Sequence, residues 1–370
     1  MCVCVCVKEK RERRKEEGGR RRMKGVVAHV EKRTTNGRGG GGRVKYVNMK
    51  KKHEKTGKEK GEDGKKRKFG FFTATTADAR FLYDEVIVKR TYIREGRVHL
   101  PEYGATVIDV GANVGLFTCL CAAEQHARGA HVIAVEPNPS CCAAMELNLH
   151  RHDGALASLR REHQQQEKER QDARTTSTTR VDVVCAAAGD GSDTKDGVEL
   201  TVYPCIGGWG STKPDEEEVM RGMRCFVDAL MQGSLRDARS AAGISGVIGR
   251  VACMFVPRTL VVAGFLRFVA ARWLAQRTTM QCTSTTLSEI IRQYGEAKGN
   301  IDLIKIDVER AELAVLQGID SRDWARVQQF VIEAHEDTLD DVTALLRERG
   351  YRLTIEENTA GLSLVYATLL

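Results

Sequence analysis

Aromatic residues make up only 6% of this 370-residue sequence, and apolar residues 42%, below what a chain folded throughout would carry. Part of the chain is therefore expected to lie outside any core. No stretch of about 18 residues runs without a charge, which excludes a simple membrane-spanning helix. No basic start followed by a long apolar run is present either, so the expectation is a soluble, cytoplasmic protein. Pairing of CxxC with a second CxxC or with HxxxH is also missing, and no metal is expected. The 12 cysteines form no disulfide framework: Cys2, Cys4 and Cys6 alternate with valine, while Cys119, Cys121, Cys141 and Cys142 fall in or near core positions and read as reduced thiols.

Charge is divided unevenly. Residues 1–70 hold 25 Lys and Arg against 9 Asp and Glu, whereas residues 71–370 hold 33 against 41. The overall net charge of +8 thus belongs to the leader, and the mildly acidic remainder would repel a nucleic-acid backbone. Residues 1–70, with no apolar periodicity, read as a disordered basic leader. The basic run at 65–68 could serve as an import or RNA-binding arm, and Cys2, Cys4 or Cys6 as an acylation site. The alternating Cys-Val run is also what a simple TG repeat encodes, which makes part of the leader a candidate gene-model product.

From Phe71 onward β-branched runs alternate with helical stretches, an α/β pattern. Strands are predicted at 106–110, 131–136, 181–187, 199–203, 302–307, 328–333, 351–356 and 362–368, and helices at 115–125, 139–150, 286–294 and 338–348. Two insertions interrupt this domain. Residues 151–179 are rich in Gln, Glu and Arg and read as a solvated excursion. Residues 219–280 carry Arg258, Arg267, Arg272 and Arg277 through an apolar stretch; this suits lid packing or a basic amphipathic helix, with 244–277 a candidate contact for a membrane surface or a protein.

The chemistry concentrates at strand ends. VIDVGANVG at 107–115 puts Asp109 at the end of a strand and Gly111 and Gly115 in the turn that follows, where glycine allows backbone to approach a ligand. Asn113 stands where a GxGxxG dinucleotide fingerprint needs its second glycine, which weakens a pyrophosphate reading. Glu136 closes the next strand, positioned to accept hydrogen bonds from both hydroxyls of a ribose. Together these motifs imply an adenosine-containing ligand. Asp190 ends a third strand, either as an adenine contact or as a turn residue. In NIDLIKIDVERAELAVLQGI, Asp307 sits on the edge where open α/β sheets bind ligands, and Lys305 reads as a partner for a neighbouring carboxylate. His335, in Glu333-Ala-His335-Glu336 after the fifth strand, is a candidate general base.

In this order, VIDVGANVGLFT, VIAVEPNP, TTLSEI with IDLIKIDVERAELAVLQGI, and DWARVQQFVIEAHE resemble the FkbM family of S-adenosylmethionine-dependent methyltransferases, over roughly residues 82–368 apart from the insertions. The resemblance implies a seven-stranded Rossmann-like sheet ending in an antiparallel hairpin. It implies S-adenosyl-L-methionine as cofactor, with Asp109, Gly111, Asn113 and Gly115 around the methionine part, Glu136 on the ribose and Asp190 near the adenine. The expected reaction is methyl transfer to a hydroxyl oxygen of a small molecule or glycan, with Asp307 and His335 as candidate bases. Many members read DVEG where this chain has Asp307-Val308-Glu309-Arg310, so Arg310 is expected to forbid a glycine-only backbone while remaining compatible with a helix start. A nicotinamide-dependent oxidoreductase and a non-catalytic cofactor-binding module are the alternatives.

Overall fold

The structure, a computed structural model, describes residues 27–29, 34–35, 44–50, 68–75, 79–124, 129–160, 179–192, 197–203, 206–217, 219–221, 271–295, 299–357 and 362–370. Most of the leader, most of the 151–179 insertion and residues 244–270 of the 244–277 stretch lie outside the described residues.

The β-branched runs form the central sheet. The strands are β5 (Thr106–Val110), β6 (His131–Val135), β7 (Arg180–Val184), β13 (Leu303–Ile306), β14 (Gln329–His335), β15 (Tyr351–Glu357) and β16 (Leu362–Leu369), in the order β15-β16-β14-β13-β5-β6-β7. All pairings are parallel except those of β16, which runs antiparallel to both neighbours and supplies the closing hairpin. The order reverses between β5 and β13, and the crevice at such a switch point is where open α/β sheets hold ligands. This is the Rossmann-like sheet that the motifs imply. The strand expected at 181–187 is shorter, because Ala187–Gly189 forms a separate strand, β8, parallel to β12 (Ser284–Thr286). Likewise Glu333 and His335 lie within the fifth strand of the alternation, not after it.

Period-two alternation gives the sheet two unlike faces. Ile108, Val110, Ile304, Ile306 and Ile332 pack on one face with α5 (Leu287–Tyr294) and α8 (Leu339–Glu348). Thr286 and Glu289 cap α5 reciprocally, each side chain meeting the other's backbone N–H at 3.1 Å, as the TTLSE sequence favours. The opposite face carries Val107, Leu303 and Val331, covered by α2 (Leu116–Glu124) and α3 (Pro139–His150).

That second face also takes up part of the leader. Strands β3 (Val44–Lys50) and β4 (Lys68–Thr73) pair antiparallel, and Val47, Met49, Phe71 and Phe72 are buried in the same core. The Asn148 side chain of α3 accepts from Phe72 N at 2.6 Å and donates to Phe72 O and Val114 O, each at 2.8 Å, tying this hairpin to the glycine turn. The boundary expected at residue 71 therefore falls inside a strand. The basic side chains dominate the count there, while a few alternating apolar residues are enough to pair and bury.

A smaller antiparallel sheet, β10-β9-β11 (Ile206–Ser211, Val198–Tyr203 and Thr278–Cys282), stands beside the crevice, its last strand beginning inside the 219–280 insertion. Among the described residues no helix is long and apolar enough to cross a membrane.

Candidate functional site

A cleft opens at the carboxyl ends of β5, β6 and β13. Gly111, Asn113, Glu136, Asp307 and Glu309 line it, and Leu200, Gly210 and Thr212 reach it from the smaller sheet.

The glycine turn is shaped by a close approach. Gly111 has φ 73°, and a Cβ there would fall 1.8 Å from the carbonyl oxygen of Asp307. Gly115, at φ 77°, faces Met145 of α3 so closely that a Cβ would sit 2.5 Å from its side chain. Asn113 also adopts a left-handed φ of 51°, which asparagine tolerates better than most residues. This conformation points its backbone N–H at Glu136 Oε2, 2.8 Å away, while Asn138 N donates to Oε1 at 2.8 Å. Burial pushes the Glu136 carboxyl up to about 7, although both amides and Lys305 pull it down.

Behind the cleft lies a charged cluster that the strand register assembles. Lys305 of β13 is paired with Asp109 of β5, and its Nζ lies 3.2 Å from Asp109 Oδ1, 3.4 Å from Asp307 Oδ2 and 2.8 Å from Gly111 O. Thr118 donates to Asp109 Oδ2 at 2.6 Å. Tyr92, buried in the segment before the sheet, places its hydroxyl 3.0 Å from Asp307 Oδ2 and 3.3 Å from Glu333 Oε2, with the Lys305 ammonium 5.1 Å from its ring centroid. Desolvation, with repulsion from Asp307 and Glu85, holds Glu333 well above the usual carboxyl range.

The residues singled out in the sequence thus separate into groups. Gly111, Asn113, Glu136 and Asp307 line the cleft together. Asp109 and Gly115 shape it from behind, Asp109 being fully buried. Asp190 is exposed, accepts from Ser192 N at 2.8 Å, and is not among the cleft-lining residues, although 186–188 just before it are. His335 does not line the cleft. It is buried with Nδ1 2.9 Å from Glu312 Oε1 and Nε2 3.5 Å from Glu309 Oε2, while Glu312 also accepts from Arg310 N at 2.8 Å and Thr338 Oγ1 at 2.9 Å.

Arg310 departs from its sequence expectation. Its φ is 76°, so it does adopt the left-handed backbone that favours glycine, and the helix begins only at Glu312. Its guanidinium bonds both Asp215 and Asp337, and Ser211 Oγ donates to Glu309 O at 2.7 Å; these contacts hold a turn of the shape that glycine favours. Arg310→Ala keeps the strained backbone and loses both partners, whereas Arg310→Gly loses the partners and the strain. The glycine variant is expected to be the more stable of the two by about 1 kcal/mol in urea unfolding.

Tyr92 and Glu333 have no role in the sequence reading. Glu333 left a signal, a carboxylate inside an apolar strand. Tyr92 left none, since only the folded register brings it to Asp307 from 215 positions away.

Residues 256–353 match the family model of the Methyltransferase FkbM domain. The chain is 30% identical over 288 residues to the 31-O-demethyl-FK506 methyltransferase FkbM of Streptomyces tacrolimicus, covering 76% of this chain and 85% of that protein. It is 23% identical over 295 residues to methyltransferase sdnD of Sordaria araneosa, covering 78% of this chain and 87% of that protein. The crystal structure of methyltransferase FkbM from Methylobacillus flagellatus KT aligns over 75% of this chain and 46% of its own with a TM-score of 0.35 and 15% identity. The chain belongs to the FkbM family of methyltransferases.

Proposed function

We propose that this methyltransferase uses S-adenosylmethionine and methylates a hydroxyl oxygen of a small molecule or glycan. The observation that carries this reading is that Glu136 and Asp307, which follow the two strands flanking β5, line one cleft. Glu136 is fixed by two backbone N–H groups and retains lone pairs for a ribose diol, which neither amide can supply. Gly111 and Asn113 leave room for the methionine part, and Asp109 and Gly115 set the shape of that wall. Asp190 follows the 186–188 wall and would meet the adenine amino group there.

Bound in this cleft, S-adenosylmethionine would supply a sulfonium-activated methyl group. The chain's own task is then to align the acceptor, exclude water and remove one proton. Asp307 takes that proton as the acceptor oxygen forms its new bond to carbon, because it is the cleft-lining carboxylate nearest the switch point. His335 acts at one remove, holding Glu309 and Glu312 and through them the turn after Asp307. The relative whose name specifies a 31-O-demethyl acceptor supports oxygen as the receiving atom. Family membership displaces the oxidoreductase alternative.

The test is transfer of label from methyl-labelled S-adenosylmethionine into the small-molecule and glycan fractions of a lysate. A labelled methyl ether is the expected product. Cofactor binding with no labelled product in any fraction would instead mark a non-catalytic module.

A further inference from the structure

The cluster behind the cleft raises a problem of hydrogen counting. The Tyr92 hydroxyl has one hydrogen but stands within reach of two carboxyl oxygens, at 3.0 Å from Asp307 and 3.3 Å from Glu333. Were both groups ionised, one would face the phenol oxygen with no hydrogen between them. The other Glu333 oxygen, Oε1, is buried and makes no hydrogen bond among the described residues. An ionised carboxylate in that position would leave a charge-bearing oxygen stripped of water and of donors, which is far more costly than leaving a neutral carbonyl oxygen there. Lys305 lies within reach of Gly111 O, Asp109 and Asp307.

We propose that Glu333 is held as the neutral acid and donates to the Tyr92 oxygen, so that Tyr92 donates its own hydrogen to Asp307. The chain of donors then runs one way, from Glu333 through Tyr92 to the carboxylate that faces the acceptor. Tyr92 and Glu333 are positioning residues: they touch neither ligand, but they orient Asp307 and keep it ionised. Tyr92 is itself fixed edge-on against Phe117, ring centroids 5.6 Å apart. The groups facing Glu333 agree with this. Asp307 from the end of β13 and Glu85 from the π-helical turn Tyr83–Val88 both favour its neutral form, against the chain's N-terminal ammonium and His335, two residues along its own strand, which favour the ionised one; burial outweighs these opposing charges. This inference rests on the reading of Asp307 as the base.

Infrared difference spectroscopy on the full chain tests it without an acceptor. Wild type minus Glu333→Gln at pH 8 is expected to show the C=O stretch of a protonated carboxyl, and Tyr92→Phe to shift the frequency of that band as its hydrogen bond is lost. Glu333→Gln supplies a neutral donor in place of the acid, so its affinity for S-adenosylhomocysteine should stay within a few-fold of wild type, which also reports that it folds. A carboxylate band alone at pH 8, in protein that binds S-adenosylhomocysteine, overturns the proposal. Once an acceptor is known, Tyr92→Phe should move the acid limb of the kcat/KM profile to higher pH by removing a donor from Asp307, and Glu333→Gln should leave it near its wild-type position. If Asp307→Asn retained full turnover, the base assignment would fail while the infrared result for Glu333 stood unaffected.

Discussion

Asp307→Asn is expected to lower methyl-transfer turnover by about 10²–10⁴-fold, the usual contribution of a positioned general base. The amide keeps the shape of the side chain and can still meet the Tyr92 hydroxyl, but it cannot take a proton. Affinity for S-adenosylhomocysteine should change by no more than several-fold, because the ribose and adenine are assigned to Glu136, after β6, and to residues 186–188, and not to the end of β13. Turnover measured beside calorimetry separates the two effects. Loss of turnover with intact binding places Asp307 in the chemistry, and equal loss of both would make it a binding residue.

The second large effect is on folding. Gly111→Ala forces a left-handed backbone on a residue with a Cβ and drives that atom to 1.8 Å from the Asp307 carbonyl oxygen. The opposing group is backbone in a β-strand junction, held by Asp307 N donating to Val110 O at 3.1 Å, and cannot rotate away. The left-handed penalty and the overpacking together amount to about 2–5 kcal/mol. Urea unfolding should show this loss, and any folded fraction should bind S-adenosylhomocysteine poorly because the turn and Asp307 move together. An unfolding midpoint equal to wild type would mean that the turn gives way to the added methyl group.

The sheet and its cleft were legible because each motif carries its own physical reason. Gly111 and Gly115 mark a turn with positive φ, Glu136 and Asp307 are charges at the ends of apolar runs, and the closing pair YRLTIEEN and LSLVYATLL fits the antiparallel hairpin that the resemblance implies. What escaped notice depends on contacts between distant segments. His335 read as a base because a histidine at a strand end can face a ligand; in the fold its ring lies between Glu309 and Glu312, behind the turn. Arg310 read as a barrier to a glycine-like backbone because its partners, Asp215 and Asp337, cannot be paired with it from sequence. The β3–β4 hairpin was hidden by the lysines around it, since a charge count does not weigh Val47, Met49 and Phe71, all buried.

The central claim is that Glu136 holds the ribose of an S-adenosyl cofactor. Its most direct test is calorimetric titration of S-adenosylhomocysteine, with NAD as control, into the full chain and into Glu136→Ala at pH 6 and pH 8. Burial raises the free Glu136 carboxyl to about 7, and a diol donating to it favours the ionised form. Wild-type affinity should therefore rise about tenfold between the two pH values, with proton release at pH 6. Removal of a charged acceptor should weaken binding at pH 8 by about 10- to 100-fold and flatten the pH dependence. Glu136→Ala binding as tightly as wild type at pH 8, or wild type binding NAD in place of S-adenosylhomocysteine, would contradict the account.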